Sequence, residues 1–262
     1  MQRYYPQNYW FDVEGGTAAE LEGIYRKVVL RDHVGFVLSA LKGVPGPVLD
    51  VGCGGALLPR LLREQGHRIL GLDFSEQAAL VATKSNGVPV VVGDLSRAPL
   101  ARHSLGMITM FHVLEHLYDP ASYLSSAHDL LRGDGRLIIQ VPNAASWQFL
   151  LLGERWNGLD VPRHLVNFRT SDLDALLQHC GFEVLRHKHF SLRDNPAGLA
   201  TSLAPDLDPM ARRVRKTSET KRIRLLKDLA YFGLVLASLP FTLLEAACRA
   251  GSTVMVEARK KA

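Results

Sequence analysis

Short apolar runs alternate with amphipathic stretches from residue 46 to residue 190, and this alternation restricts the chain to few folds. The segment PVLDVGCGGALLPRLLREQGHRILGLDFS reads as an apolar strand, a glycine-rich turn, a helix and a second apolar strand. Two strands joined through a helix lie parallel in one sheet. Further strand patterns follow at 89–94, at 105–113, before Pro142 and at 182–190. We therefore predict a doubly wound α/β domain.

The regular alternation stops near residue 191, and this change divides the chain into four predicted segments. These are an N-terminal helical cap (1–45), a ligand-binding core (46–191), a basic and apolar helical insertion (192–250) and a closing strand of the core sheet (251–262). Residues 194–220 are rich in Pro, Asp, Ser and Arg, a composition typical of a loop or mobile segment. Residues 221–248 carry a helical pattern, and TVMVEA is typical of a strand.

Composition excludes several classes of protein. The sequence opens MQRYYPQNYW, without a basic run followed by an apolar core, so we expect a cytoplasmic protein. The three cysteines are widely spaced in apolar or glycine-rich surroundings, which favours reduced packing residues over a disulfide or metal site. The net charge of +5 is local, because the segment 212–227 alone carries eight basic residues and one acid. We expect no nucleic-acid partner and no metal.

Acidic and glycine residues coincide at the predicted ends of three neighbouring strands. Gly52 and Gly54 lie between the first strand and its helix, where glycine lets a ligand approach the backbone and the helix start offers N–H groups. Asp73 ends the second strand, 23 residues after Asp50, where a carboxylate can accept ribose hydroxyls. Asp94 ends the third strand. This arrangement predicts a nucleoside site.

Five motifs in order resemble class I S-adenosylmethionine-dependent methyltransferases. They are VLDVGCG, the acid ending the second strand, GDL, FHVLEHLYDP and LLRGDGRLIIQVPN, and the similarity is closest to the ubiquinone-biosynthesis-like O-methyltransferase branch. The resemblance covers residues 30–190 and implies a seven-stranded, mainly parallel, Rossmann-like sheet with S-adenosylmethionine as cofactor. It also implies the following cofactor-binding residues: Asp50, Gly52, Cys53, Gly54, Asp73, Phe74, Asp94, Leu95, Phe111 and His112. Ala56 departs from the family pattern, which has a third glycine there.

The segment FHVLEH also has the H-x-x-E-H spacing of inverted zinc peptidases. That site requires both histidines on one continuous helix, whereas the pattern before His112 predicts a strand. We therefore discount the zinc interpretation. The resemblance instead implies that Phe111 and His112 lie beside the methionine part of the cofactor, while Glu115 and His116 shape the loop toward the acceptor.

Methyl transfer from a sulfonium requires alignment of donor and acceptor, and an oxygen acceptor must also lose a proton. A histidine with a pKa near neutrality suits that role. We select His116 and His164 as candidate catalytic residues, the latter in the segment VPRHL. Packing alone remains an alternative for each, and carbon or nitrogen remains open as the methylated atom.

The insertion predicts a membrane-surface contact. Residues 221–248 run from a basic start into 16 uncharged residues, Leu229 to Leu244, fewer than the ~20 needed to span a bilayer. Such a helix suits the interface of an anionic membrane, which predicts peripheral contact through residues 212–246 and a small or lipid-like acceptor. A helical cap on the domain or on a second subunit, which would make a homodimer, is the alternative.

Two other functions use a similar fold. A nicotinamide-dependent oxidoreductase also has a glycine turn and a ribose-binding acid, but GDL after the third strand and an isolated, reversed final strand favour a methyltransferase. A non-catalytic membrane-associated binding protein that retains the fold is the second alternative. We predict a methyltransferase acting on oxygen of a phenol- or quinone-type acceptor.

Overall fold

A seven-stranded sheet forms the centre of the protein. The computed structural model describes residues 17–215 and 219–261, except the side chains of residues 17–28, 213 and 214. The strands lie in the order β3-β2-β1-β4-β5-β7-β6. Their bounds are β1 Val48–Val51, β2 Ile69–Asp73, β3 Val90–Val92, β4 Leu105–Phe111, β5 Leu131–Pro142, β6 Phe182–Lys188 and β7 Thr253–Lys260. The predicted doubly wound, mainly parallel sheet is confirmed.

Only β7 runs against its neighbours among these strands. It pairs antiparallel with β5 on one side and with β6 on the other. The pairs among β1, β2, β3, β4 and β5 are all parallel. The parallel strands place their carboxyl ends at one edge of the sheet, where ligands bind in open α/β folds.

Nine α-helices occur within the described residues. They are α1 Thr17–Ala40, α2 Leu57–Glu64, α3 Glu76–Asn86, α4 Pro120–Leu130, α5 Trp147–Leu152, α6 Thr170–His179, α7 Asn195–Leu203, α8 Pro209–Val214 and α9 Lys221–Ala247. Ser75 caps α3, because its hydroxyl accepts a hydrogen bond from the Ala78 amide (3.2 Å). The four-segment division stays a prediction, and residues 1–16 of the cap lie outside the described residues.

The two faces of the sheet are both covered by apolar side chains. Alternation along the strands sends Leu137 and Ile139 of β5 to one face and Ile138 to the other. On the first face they meet α4 and α6, and on the second they meet the final turns of α1 through Phe36 and Val37. Burial of both faces explains why the parallel strands read as nearly continuous apolar runs.

The segment 194–220, predicted as a loop or mobile segment, contains two helices, so this prediction was wrong. Its Pro and Asp residues are signals of helix starts. Pro196 lies in the first turn of α7, where the missing N–H of proline costs nothing. Asp208 accepts a hydrogen bond from the Met210 amide at the start of α8 (2.8 Å). Packing against α9, which follows in the sequence, stabilises α7.

The polarity of α9 is inverted relative to a surface helix. Its protein-facing side carries Tyr231, Ser238, Thr242 and Glu245, the last three buried. Its outward side is apolar from residue 229 onward and includes the half-exposed Leu229, Phe232, Leu236, Leu243 and Leu244. A surface helix normally turns its apolar side inward. Among the described residues α9 is the one helix long and apolar enough to cross a membrane, judged by length and composition alone.

Candidate active site

The glycine turn after β1 is bound to the end of β2 through Asp73. One carboxylate oxygen of Asp73 accepts a hydrogen bond from the Gly54 amide (2.9 Å), and the other accepts one from the Ser75 amide (2.8 Å). Gly52 has φ 68, and a Cβ there would lie 2.7 Å from Cγ2 of Val113. The turn therefore needs glycine for both its conformation and its space.

Cys53 lies in this turn but directs its side chain into the protein. A Cβ on Gly71 would lie only 2.7 Å from the Cys53 sulfur, so the side chain of Cys53 packs against Gly71. It also joins a small apolar cluster with Ala82 and Val88. Only the backbone of Cys53 can face a ligand. Ala56, at the position of the family's third glycine, adopts φ 58 immediately before α2, so an alanine occupies the left-handed conformation that favours glycine.

Asp50 is buried beneath the turn. Its carboxylate accepts a hydrogen bond from the Thr109 hydroxyl of β4 (2.5 Å). Burial and, to a smaller extent, the nearby charge of Asp73 together raise the pKa of Asp50 to about 7, against the opposing hydrogen bond from Thr109. Asp50 thus supports the turn from below.

Asp94 and Asp73 lie at the ends of neighbouring strands and share a neighbour that sequence reasoning missed. Burial first, and then the charge of Asp94, raise the pKa of Tyr123 to about 12, with a smaller effect from Asp73. The hydroxyl of Tyr123 on α4 therefore lies near both acids. Asp94 also accepts hydrogen bonds from the amide (2.9 Å) and hydroxyl of Ser96, so part of its side chain caps the short helical turn that begins at Leu95.

Two of the predicted cofactor-binding residues, Phe74 and Leu95, differ in their exposure. The ring of Phe74 is 44% exposed beside Asp73, whereas Leu95 is buried. An exposed ring after the second strand offers an apolar surface to a planar ligand group.

The structure excludes the helix that a zinc peptidase site in FHVLEH would need, as the strand pattern before His112 predicted. β4 ends at Phe111, His112 has φ 56, and residues 114–116 form one short helical turn, so no continuous helix carries the motif. The ring of His112 is held at Nδ1, which lies 3.0 Å from the Glu115 carboxylate. His112 and His116 therefore occupy different backbone conformations and different environments.

The two candidate catalytic histidines lie together. The rings of His116 and His164 are 4.7 Å apart, edge to face. His116 donates from Nδ1 to the Arg163 carbonyl (2.9 Å), and His164 donates from Nδ1 to the Gly158 carbonyl (2.7 Å). Each bond places the proton of the neutral ring on Nδ1 and leaves the lone pair on Nε2. Burial lowers the pKa of His164, so this imidazole is neutral near pH 7.

Glu115 completes this group from below. It is buried, and its Oε2 has no hydrogen-bond partner among the described residues. One ligand atom each from Glu115, His116 and His164 lies within 4.8 Å of the others, a grouping that could hold a metal ion. The expectation of a metal-free site therefore stays a prediction.

Further polar residues at this edge went unnoticed in the sequence. Gln140 of β5 and Asp194 before α7 lie beside His112, and His33 of α1 lies against Asp194. Gln140 is completely buried in LIIQVP, the second half of β5, and this one polar residue within an apolar run is the sequence signal that could have identified it.

Comparison with known proteins assigns the family. A family model described as a methyltransferase domain matches residues 23–187, more than half of the chain. The chain belongs to the methyltransferase domain family. It is an S-adenosylmethionine-dependent methyltransferase. This assignment, together with the antiparallel β7, favours the methyltransferase prediction over a nicotinamide-dependent oxidoreductase and over a non-catalytic protein.

Individual relatives share at most about a third of their residues with this chain over the aligned regions described below. A probable S-adenosylmethionine-dependent methyltransferase of Mycolicibacterium smegmatis is 30% identical over 52% of this chain and 52% of its own length. This chain thus spans about half of that relative. A ubiquinone biosynthesis O-methyltransferase of Pectobacterium carotovorum is 29% identical over 76% of this chain and 85% of its own length. Among solved structures, an S-adenosylmethionine-dependent methyltransferase from Archaeoglobus fulgidus shares the fold, with TM-score 0.59, 17% identity and coverage of 94% and 100%.

The buried carboxyl of Asp50 generates a pH-dependent prediction. Its pKa is about 7 in the folded chain and 3.8 ordinarily, so the folded chain binds the extra proton between these values. Its contribution to stability is complete below pH 4, declines as pH rises toward 7 and is absent above. Asp50→Asn keeps the oxygen that accepts from Thr109 but cannot ionise. The free energy of unfolding of Asp50→Asn minus that of the wild type should therefore increase from pH 4.5 to pH 8, by on the order of 3 kcal/mol.

Urea unfolding of both proteins at the two pH values measures this change. Asp134→Asn is the matched control, since Asp134 is an exposed carboxyl in the segment before the central part of β5, and its difference from the wild type should stay constant. A constant difference for Asp50→Asn as well would show that Asp50 is ionised in the folded protein at both pH values.

Proposed function

We propose that the protein transfers the methyl group of S-adenosylmethionine to a hydroxyl oxygen of a lipid-like phenol or quinone-type acceptor. The observation that carries the proposal is the presence, at one edge of the sheet, of a carboxylate-bound glycine turn and of two histidines whose rings are 4.7 Å apart. The first feature suits a nucleoside, and the second suits removal of a hydroxyl proton.

The residues around the glycine turn fit an adenosyl ligand. The turn has no side chain at Gly52 or Gly54, so a ligand can contact its backbone. Asp73 retains acceptor capacity on both carboxylate oxygens for ribose hydroxyls beyond its two amide bonds. Leu95 offers a buried apolar surface, and Asp94 an acceptor, at the position proposed for the base. When bound, S-adenosylmethionine supplies an electrophilic methyl group on its sulfonium.

His164 is the group we propose as general base. Its Nδ1–H is held by the Gly158 carbonyl, so its Nε2 can accept the proton of an acceptor hydroxyl. The buried carboxylate of Glu115 lies close enough to His164 for its charge to stabilise the imidazolium formed in that step. His116 packs against the ring and orients it.

An acceptor with a lipid-like part is supported by α9. The hydroxyl of Tyr231, near the middle of this helix, contacts Thr201 of α7 (3.0 Å), and Glu245, near its end, accepts two hydrogen bonds from Gln148 of α5. The part of the helix from Tyr231 to Glu245, about 21 Å long, therefore lies along the domain rather than projecting from it. Its apolar outward side suits the interface of a bilayer more than a transmembrane crossing.

Basic residues at the start of α9 support an anionic membrane. Lys221, Arg222 and Arg224 are exposed, and each cation near an anionic leaflet contributes ~1 kcal/mol. Peripheral contact through residues 212–246, of which 216–218 lie outside the described residues, would locate the protein in the cytoplasm at the inner membrane surface. A second copy of the chain on the same apolar side, forming a homodimer, is the competing proposal.

Removal of the Asp73 carboxylate tests the cofactor assignment. Asp73→Ala should weaken S-adenosylhomocysteine binding by about 1–3 kcal/mol through the loss of charged hydrogen bonds. Isothermal calorimetry measures the affinity, and urea unfolding of the free proteins separates a loss of folding from a loss of contact. Asp134→Ala should bind like the wild type. Unchanged affinity in a folded Asp73→Ala protein, or tight binding of NADH by the wild type, contradicts the assignment.

Substitution of His164 tests the proposed base. His164→Asn retains a donor near the Nδ1 position and removes Nε2, so the rate of methyl transfer should fall by about 10²–10⁴ while S-adenosylhomocysteine affinity changes little. The measurement is transfer of a labelled methyl group to a prenylated dihydroxybenzene in phospholipid vesicles. His179→Asn, at an exposed site at the end of α6, is the control. A wild-type-like rate in His164→Asn would exclude His164 as base.

Polar substitutions on α9 test the membrane contact. Ser in place of Leu229, Phe232 and Leu236 should abolish flotation with vesicles that contain anionic phospholipid and leave S-adenosylhomocysteine binding intact. Ser in place of Leu80 and Leu185, exposed leucines elsewhere, should leave flotation unchanged. A wild-type protein that does not float, yet forms a dimer dispersed by the α9 substitutions, would favour the second copy.

A further inference from the structure

The insertion contributes a carboxylate to the cofactor edge of the sheet. Asp194 immediately precedes α7 and lies among residues from three other parts of the chain. One of its oxygens accepts hydrogen bonds from Gln140 Nε2 of β5 (2.7 Å) and from the Ser191 hydroxyl (2.5 Å). Its other oxygen lies 3.8 Å from His112 Nε2. Asp194 thus reaches the end of β4 and the middle of the site from outside the core segment.

His112 is held at both ring nitrogens. Nδ1 lies 3.0 Å from Glu115, and Nε2 lies 2.9 Å from the side-chain nitrogen of Gln140. The backbone of His112 has φ 56, a conformation that a residue other than glycine keeps only where its surroundings impose it. A ring bound on both sides is available for alignment and not for proton removal.

Gln140 connects the two side chains through its amide nitrogen, which donates to Asp194 and lies 2.9 Å from His112 Nε2. As a donor to both, this nitrogen requires a lone pair on His112 Nε2. The opposite orientation of the amide would bring its oxygen against the Asp194 carboxylate, which is itself an acceptor. The bond from Gln140 to Asp194 therefore fixes the orientation of the amide and, through it, the ring of His112.

The charges around Asp194 favour its ionised form. Burial would raise the pKa of Asp194, but the charge of Arg193 and the contacts with His112 and His33 hold it well below its ordinary value. The charged or titratable groups that face Asp194 are Arg193 beside it, His112 after β4 and His33 on α1. His33 is itself paired with Asp32 and, through it, with Lys188 of β6.

We infer that Asp194 is a positioning residue for methyl transfer: through Gln140 it fixes the His112 ring at the cofactor end of β4, so that the insertion completes the active site. The inference rests on the proposed function for the identity of the reaction. It assigns the insertion a part in alignment of the reacting groups, in addition to any part in membrane contact.

Asp194→Asn tests this assignment because it preserves size and removes the charge. The Nε2 signal of His112, observed in ¹⁵N-histidine spectra and assigned with His112→Asn, should shift toward that of a ring nitrogen without a hydrogen bond, because a carboxylate no longer holds the Gln140 amide against it. The turnover rate should fall about tenfold to a hundredfold, since small misalignments of reacting groups are costly, with less than about a threefold change in S-adenosylhomocysteine affinity.

Asp208→Asn is the matched control, because Asp208 caps α8 in the same insertion without contacting His112. It should leave both the His112 spectrum and the turnover rate unchanged. If Asp194→Asn fails to fold, Gln140→Met provides the second variant, since it breaks the same connection and leaves Asp194 in place. It should shift the His112 signals in the same way.

The inference is overturned if folded Asp194→Asn or Gln140→Met retains the wild-type His112 spectrum and turnover rate. A different result would be a spectral change in Asp194→Asn together with a wild-type protein that transfers no methyl group to any hydroxyl acceptor. It would remove the proposed reaction while leaving the connection between Asp194 and His112 in place.

Discussion

The bonds from the Asp73 carboxylate to the Gly54 and Ser75 amides are the interaction on which the rest of the site depends. They join the turn after β1 to the start of α3 and hold a buried charge at the edge of the sheet. A buried carboxylate is costly unless hydrogen bonds stabilise it. Here backbone amides supply them, so the same arrangement that stabilises the turn presents an acceptor to the crevice. Asp50 lies beneath, mostly protonated below pH 7, which limits repulsion between the two acids.

The core of the fold followed from the sequence because its signals are local. Apolar strands, the glycine turn and Ser75 before α3 each depend on a few neighbouring residues. The helices in 194–220 did not follow, since α7 gains its stability from α9, which lies beyond it in the chain, and its Pro and Asp residues resemble those of a loop. The inward direction of the Cys53 side chain also depends on packing, against Gly71 of a different strand.

The residues of the candidate site also fall into two groups, those that a sequence pattern can locate and those that only the fold brings together. Gly52, Gly54, Asp73 and Asp94 lie at strand ends that a pattern can locate. His116 and His164 were selected for their chemistry, and their ring contact depends on a fold that brings residues 48 positions apart together. No local sequence pattern identifies Asp194 or His33, because their contacts form only when the insertion and α1 fold against the end of β4. Long-range electrostatics of this kind is what one sequence leaves undetermined.

The position of β7 between β5 and β6 has a consequence for how the protein forms. β6 pairs only with β7 within the described sheet, and the ribosome reaches β7 only after α7, α8 and α9 have been made. Until then β5 presents an unpaired edge and β6 has no partner. The nascent chain must therefore protect both strand edges until β7 arrives, and the segment made in between includes α9, whose outward side is apolar. If the proposed membrane contact forms, it would keep that helix from aggregating while the sheet closes.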